Sequence, residues 1–237
     1  MEKLLRDVEY NYNYIEERIA EAAQKLGKSR DDITFLAATK TVDVEVINYA
    51  ISLGLKYIGE NKVQELLSKY DNYNLNDASL QFIGHLQSNK VRQIVGKVDL
   101  IQSVDSVKLA KEVSRQSVKN NVNTDILIEV NIGEEESKSG IRAEMLYELL
   151  DEIKDFENIS VKGLMCIPPI CDTPQKNLKF FTKMNNIFID ISGKKIDNIS
   201  MDILSMGMSA DYYEAILSGA NMVRVGSSLF GARNYSI

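Results

Sequence analysis

The sequence predicts an α/β fold, a single (β/α)8 barrel of the TIM type, from three observations. Short apolar runs alternate with helix-like segments about eight times between Asp32 and the end of the chain. The runs are continuously apolar rather than alternating, as strands buried on both faces are. Small and polar residues collect just after the runs, and in a barrel all those strand ends meet at one mouth. An open doubly wound sheet is the alternative, but eight units without a Gly-rich dinucleotide fingerprint favour closure. The 237 residues suit one such barrel, which typically needs roughly 250. No Gly/Ser-rich or Pro-rich linker interrupts them, so one domain over 1–237 is expected.

The elements follow in order. Leu4, Val8, Tyr12, Ile15, Ile19, Ala22 and Leu26 recur at steps of three and four, one apolar helical stripe. Gly27 is a natural residue to end that helix. No strand precedes it, so the segment 1–27 is expected to pack outside the barrel. Strands are expected at 33–39, 56–59, 80–83, 99–103, 125–130, 160–165, 201–205 and 222–225. Helices are expected at 43–53, 61–70, 87–95, 105–120, 141–154, 174–190 and 209–218. The tail after 226 has room for one more short turn or helix.

The bulk composition excludes several classes. Net charge is −6 with both signs spread along the chain, which argues against a nucleic-acid footprint. The basic stretch "SNKVRQIVGK" (88–97) reads as a solvated helix face. No apolar run approaches the roughly 18 residues of a membrane helix, and the charged, helical start is no signal peptide. A cytoplasmic protein is expected. Cys166 and Cys171 fit a reducing compartment. The one histidine, His85, cannot complete a soft metal site, so no metal is predicted.

The strand "ITFLAAT" (33–39) leads straight to Lys40, with no acidic residue within two positions. At the rim of a mouth, desolvation can leave a lysine amine neutral and nucleophilic. A lysine that merely follows its strand, or one that meets a phosphate as a point charge, fits the spacing equally. "SMGMSADYYEAI" places Ser209 at the N-cap of the helix expected at 209–218, and "RVGSSLFGA" is a second small-residue loop. Barrels commonly bind phosphate on the loops after strands seven and eight; Gly207 and Gly226 would let the backbone approach an anion. Ordinary tight turns are the alternative. A lysine plus a phosphate site suggests a Schiff base with a phosphorylated sugar or with pyridoxal phosphate. Arg224, two residues before Gly226, has only donors; facing a pyridine nitrogen it would keep that atom unprotonated. It could equally pair with Asp202 or Glu129.

Together, "AATKT" (37–41), "GENKVQE" (59–65), "FIGHLQSNK" (82–90), "SVDS" (103–106), "GLMCIPP" (163–169), "LSMGMSADYYEAI" (204–216) and "VRVGSSLFGAR" (223–233) resemble the pyridoxal phosphate homeostasis proteins. These are single-domain relatives of the alanine racemase N-terminal barrel. The resemblance runs from about Leu4 to Arg233. It implies pyridoxal 5′-phosphate as cofactor, with Lys40 as the aldimine lysine. It sets Asn61 near the phenolic oxygen, Ser209, Gly226 and Ser227 on the phosphate, and Arg224 at the pyridine nitrogen. Met165 would pack near the ring face, or simply in the core. His85 is a rim or core histidine rather than a catalytic one. Thr39 stands where many relatives have serine, and Leu80–Gln81 replace a more aromatic lead.

Alanine racemases continue into a β-domain that supplies a tyrosine base to the opposite face of the cofactor. This chain stops four residues after Arg233, and racemisation needs groups on both faces. The resemblance therefore implies a carrier or regulator in vitamin B6 and amino-acid homeostasis, with no catalytic residue assigned. It would be a monomer, with apo-enzymes that use the cofactor as acceptors. A low-activity amino-acid racemase is the alternative. A sugar-phosphate Schiff-base aldolase is a remote third.

Overall fold

The structure, a computed structural model, describes residues 1–231 apart from 137, 170 and 172. Residues 232 and 233, the end of the last sequence motif, lie outside the described residues. Eight strands run in order: β1 (Thr34–Ala38), β2 (Tyr57–Glu60), β3 (Ser79–Phe82), β4 (Leu100–Val104), β5 (Thr124–Val130), β6 (Ile159–Cys166), β7 (Ile199–Met208) and β8 (Met222–Val225). Each is parallel to the next, and β1 pairs with β8, so the barrel closes. The helices are α1 (Glu2–Lys25), α2 (Val44–Ser52), α3 (Val63–Lys69), α4 (Val91–Ile94), α5 (Val107–Asn120), α6 (Leu146–Ile153), α7 (Leu178–Ser192), α8 (Tyr212–Leu217) and α9 (Ser227–Phe230).

The expected N-terminal stripe becomes the buried face of α1, with Val8, Ile15, Ile19, Ala22 and Ala23 inward. It lies against α8, α9 and α2, outside the barrel wall. Full burial of a side chain such as Ile19 is worth about 1.5–3 kcal/mol. The chain leaves this helix at Gly27, where Lys28 N–H reaches back to Ala23 O. Strands β4 and β8 are buried at every position.

Several expected helices are shorter or split. Segment 87–95 is a 3-10 turn followed by four residues of α4, and 174–190 begins as a 3-10 turn before α7. The largest difference is at strand seven, expected at 201–205. β7 runs on through Met206, Gly207 and Met208, with a bulge against β8 between Ser205 and Met208. The helix expected from 209 starts only at Tyr212, with Asp211 preceding it. A stretch as polar and glycine-containing as "SMGMS" reads as loop, but the bulge keeps it in the sheet.

The lumen has two layers of different character. Leu100, Leu127, Met165 and Met222 form an apolar cluster, with Ile203 packed against it. Gln102 of β4 donates to Gln81 Oε1 of β3 (2.6 Å) and to Met222 Sδ of β8 (3.1 Å), and accepts from Ser205 of β7 (2.7 Å). β4 is a neighbour of neither β7 nor β8 in the sheet, so these bonds cross the inside of the barrel.

Candidate functional site

Lys40 sits two residues beyond the end of β1, half-buried. Its two neighbours are both tied to one buried cluster. Thr39 is fully buried and every polar group it has is engaged. Its N–H donates to Gly59 O (2.9 Å), its hydroxyl to Glu60 Oε1 (2.8 Å), and its carbonyl accepts from Lys69 Nζ (3.1 Å). Lys69 also donates to Glu60 Oε1 (3.0 Å) and Glu65 Oε1 (2.7 Å). On the other side, Thr41 N–H donates to Glu65 Oε1. Thr41 adopts φ 64, a left-handed conformation that costs a β-branched residue about 1–3 kcal/mol and persists only where its surroundings hold it.

Tyr73 completes the cluster, its hydroxyl donating to Glu60 Oε1 (2.8 Å). Burial, then the neighbouring Glu60 carboxylate, push this phenol far above the usual range. Tyr73 is therefore a fixed donor and no base. Glu60 Oε1 receives three donors, while the buried Glu60 Oε2 has no partner among the described residues. The acidic residues that hold the neighbours of Lys40 thus come from β2 and α3.

Across the β1–β8 seam lies a neutral arrangement. Ser209 follows β7, but not as the N-cap of α8: Asp211 precedes that helix and takes Met208 N–H on Oδ1 (2.7 Å). The Ser209 hydroxyl instead accepts from Gly226 N (3.1 Å) and Ser228 N (3.2 Å). Two N–H groups at the start of α9 thus converge on one oxygen. Gly226 packs closely on β1: a Cβ there would be tight, 3.1 Å from Ala38 O and 3.3 Å from Ala38 Cβ. Ser227 is exposed beside it. Gly207 has a packing role. Its φ of 90 makes the bulge, and a Cβ would meet Ala215 Cβ at 2.5 Å. It lets α8 pack on β7.

Between the two flanks, Arg224 is buried in β8. It pairs with neither Asp202 nor Glu129; it donates to Ser205 Oγ (2.6 Å) and Cys166 O (3.0 Å). Those bonds engage only part of its fork of donors. Ser205 passes the contact on to Gln102 and Gln81, so the guanidinium is oriented by a chain through the lumen. Met165 lies in the apolar cluster below, fully buried. Glu129, 6% exposed, is held protonated further up the pH scale than a usual carboxyl, to about 7, by burial and then by Asp105, with Arg224 opposing. Cys166 is fully buried, and burial pushes its thiol up to about 12.

Asn61 follows β2, and its buried Oδ1 has no partner among the described residues. Ser103 Oγ, on β4, is likewise buried and unpartnered. The Asn61 acceptor, just past the end of β2, suits a polar ligand laid over the strand ends, because a buried acceptor left unmade costs about 1–3 kcal/mol. His85 is exposed, 3.3 Å from Ser139 Oγ and 4.0 Å from Asp105. Among the described residues no group of His, Cys, Asp and Glu could hold a metal ion, and no helix is long and apolar enough to cross a membrane. Closure thus brings Lys40, Ser209, Arg224, Gly226 and Ser227 to adjacent strand ends, and Asn61 to the next. The sequence reading missed Glu60, Lys69, Tyr73 and the Ser205–Gln102–Gln81 chain. A charged residue ending an apolar strand, as Glu60 does, was the available signal.

A family model of the alanine racemase N-terminal domain matches residues 10–234. A pyridoxal phosphate homeostasis protein of Aquifex aeolicus is 42% identical over 219 residues, 92% of this chain and 95% of that protein. The structure of an unknown protein from Bifidobacterium adolescentis is similar with a TM-score of 0.91 at 30% identity, covering 97% of this chain and 96% of that one. PipY of Synechococcus elongatus, solved with PLP bound, gives a TM-score of 0.79 at 29% identity over 90% of this chain and 100% of its own.

Proposed function

This chain belongs to the alanine racemase N-terminal domain family, among the pyridoxal phosphate homeostasis proteins, and on that premise we propose that it binds pyridoxal 5′-phosphate as a cargo. It holds the aldehyde as a Schiff base on Lys40 and serves intracellular vitamin B6 and amino-acid homeostasis. The observation that carries this reading is the seam between β1 and β8. Gly226 lies against Ala38, two residues before Lys40, so the backbone that leads into Lys40 runs beside a pair of convergent N–H donors.

Each residue then has a part. The bound cofactor would supply an aldehyde that condenses reversibly with a neutral amine, releasing water, and Lys40 would supply that amine. Gly226 and Ser228 N–H, with the hydroxyls of Ser209 and Ser227, take the phosphate. Arg224 offers donors to the pyridine nitrogen. It lends that nitrogen no proton, which weakens the ring as a sink for carbanion charge. The unpartnered Asn61 Oδ1 receives the phenolic hydroxyl. Met165 supports the ring from the lumen.

Binding without robust catalysis is part of the same proposal. Tyr73, the tyrosine wired to the residue before Lys40, is a donor to Glu60 and no base. The curated relatives are named for homeostasis rather than for a reaction. A cytoplasmic location, one domain over 1–237, a monomeric state and transfer to apo-enzymes complete the proposal.

The test is the visible spectrum of the purified protein with pyridoxal phosphate, before and after borohydride, with peptide mass mapping. A yellow band that borohydride abolishes, with a phosphopyridoxyl adduct on the Lys40 peptide that is absent from Lys40→Ala, is expected. A protein that stays colourless overturns the reading. Robust Lys40-dependent racemisation across an amino-acid panel would replace the carrier with a racemase.

A further inference from the structure

We propose that Thr39, through the buried Glu60–Lys69 pair, is a positioning residue that sets the direction and reactivity of the Lys40 amine. This rests on the reading of Lys40 as the residue that bonds the aldehyde. Three observations carry it. Thr39 has its N–H, hydroxyl and carbonyl all engaged, so the peptide unit entering Lys40 cannot rotate without breaking a bond. Thr41, on the far side, is held in a left-handed conformation while Glu65 accepts its N–H. Both arms meet at Lys69, whose ammonium joins Thr39 O, Glu60 and Glu65.

The arrangement is more than a stable core needs. A buried pair of charges is seldom a net gain in stability over apolar packing of the same volume. Here it fixes the backbone on both sides of one lysine. A rigid backbone limits the arc over which the amine can swing, and misplacing a reacting atom by about 1 Å can cost on the order of a hundredfold. The Thr39 hydroxyl is the link that reaches the pair from the residue next to Lys40, and serine can supply the same hydroxyl.

The experiment uses Thr39→Val, Thr39→Ser and Tyr73→Phe in the full chain. Tyr73→Phe removes a donor from the same Glu60 oxygen and a neighbour of the Thr39 hydroxyl, but leaves the Thr39 bonds to Gly59, Glu60 and Lys69 in place, so it reports any general loosening of the cluster. Two readouts are taken. One compares binding of pyridoxine 5′-phosphate, which has no aldehyde, with the Schiff-base equilibrium of pyridoxal 5′-phosphate. The other is competitive acetylation of Lys40 in the ligand-free protein as a function of pH, against the other lysines. Thr39→Val is expected to lower the Schiff-base equilibrium about tenfold while pyridoxine phosphate binding holds. Its Lys40 acetylation profile shifts as well. Thr39→Ser restores both, and Tyr73→Phe alters neither.

Equal losses for the two ligands, or the same shift in Thr39→Val and Tyr73→Phe, would overturn the proposal and leave the cluster a structural one. If borohydride fixes the cargo to another lysine, the cargo reading of Lys40 fails by itself. The acetylation profile still decides whether Thr39 orients Lys40.

Discussion

On the β1–β2 flank of the mouth the chain buries a charged pair beside the anchor; on the β7–β8 flank, beside the buried Arg224 and Asp211, the groups that converge at Ser209 are a serine hydroxyl and two backbone N–H donors. The first flank leaves little room for exchange. Lys69 and Glu60 are 14% and 0% exposed at the side chain, and each charge depends on the other once water is excluded. The second is open enough that Ser228 and Ser227 are exposed. An incoming anion or water can share those N–H donors with the Ser209 hydroxyl there. The contrast matches two tasks. A covalent anchor gains from a fixed backbone, whereas a phosphate site must exchange one acceptor for another at little cost.

The largest effect is expected where charge is buried. Lys69→Met strands Glu60, and breaking a buried pair from one side typically costs about 3–5 kcal/mol. Urea denaturation measures it. The double variant Glu60→Gln/Lys69→Met should recover most of that loss, because no charge is then left without a partner. A single variant as stable as the parent would mean that the flank is wet, and the contrast with β7–β8 would collapse.

A second effect separates the lumen from both flanks. The Glu129 carboxyl is raised from 4.5 to about 7 by burial and by Asp105, against the pull of Arg224. Its folded form holds the proton more tightly than the unfolded chain does. The stabilisation is therefore complete below about 4.5 and is lost as pH rises towards about 7. The shift corresponds to about 3 kcal/mol. Glu129→Gln keeps the shape and removes the titration. The parent should lose stability between pH 5 and pH 8 relative to this variant, and the variant should be the more stable of the two at pH 8. Parallel stability curves across that range would place Glu129 in water after all.

How much of this was legible in the sequence depends on the reach of each interaction. The barrel was legible because continuous apolar runs and their polar ends are local patterns, and the eight strands fall within a few residues of expectation. Lys40, Arg224 and Gly226 stood out because each ends, or nearly ends, an apolar strand. Strand seven was read short because Gly207 looks like a turn, and only the contact with Ala215 shows that it serves packing. The partners of Lys40's neighbours were invisible for another reason. Glu60 lies 21 residues from Thr39 in the chain, and only barrel closure makes them adjacent. Likewise the Ser205–Gln102 bond spans 103 residues and crosses the lumen, which no periodicity encodes.

The smallest stability effect and the most selective functional one should coincide at Ser209. Ser209→Ala deprives Gly226 N–H and Ser228 N–H of their acceptor. Because the loop is partly exposed, water can replace it, and the net loss should be about 1 kcal/mol or less in phosphate-free buffer. Inorganic phosphate is the sharper probe. Binding to the folded chain raises its melting temperature by mass action, so the parent should gain stability with phosphate. The variant should gain less, since one of the groups that would hold the anion is gone. On the other flank, Tyr73→Phe should leave the phosphate response intact. If Ser209→Ala and the parent respond alike to phosphate, the convergent N–H pair is only a turn closed by a serine. The β7–β8 flank would then have no task to set against the β1–β2 one.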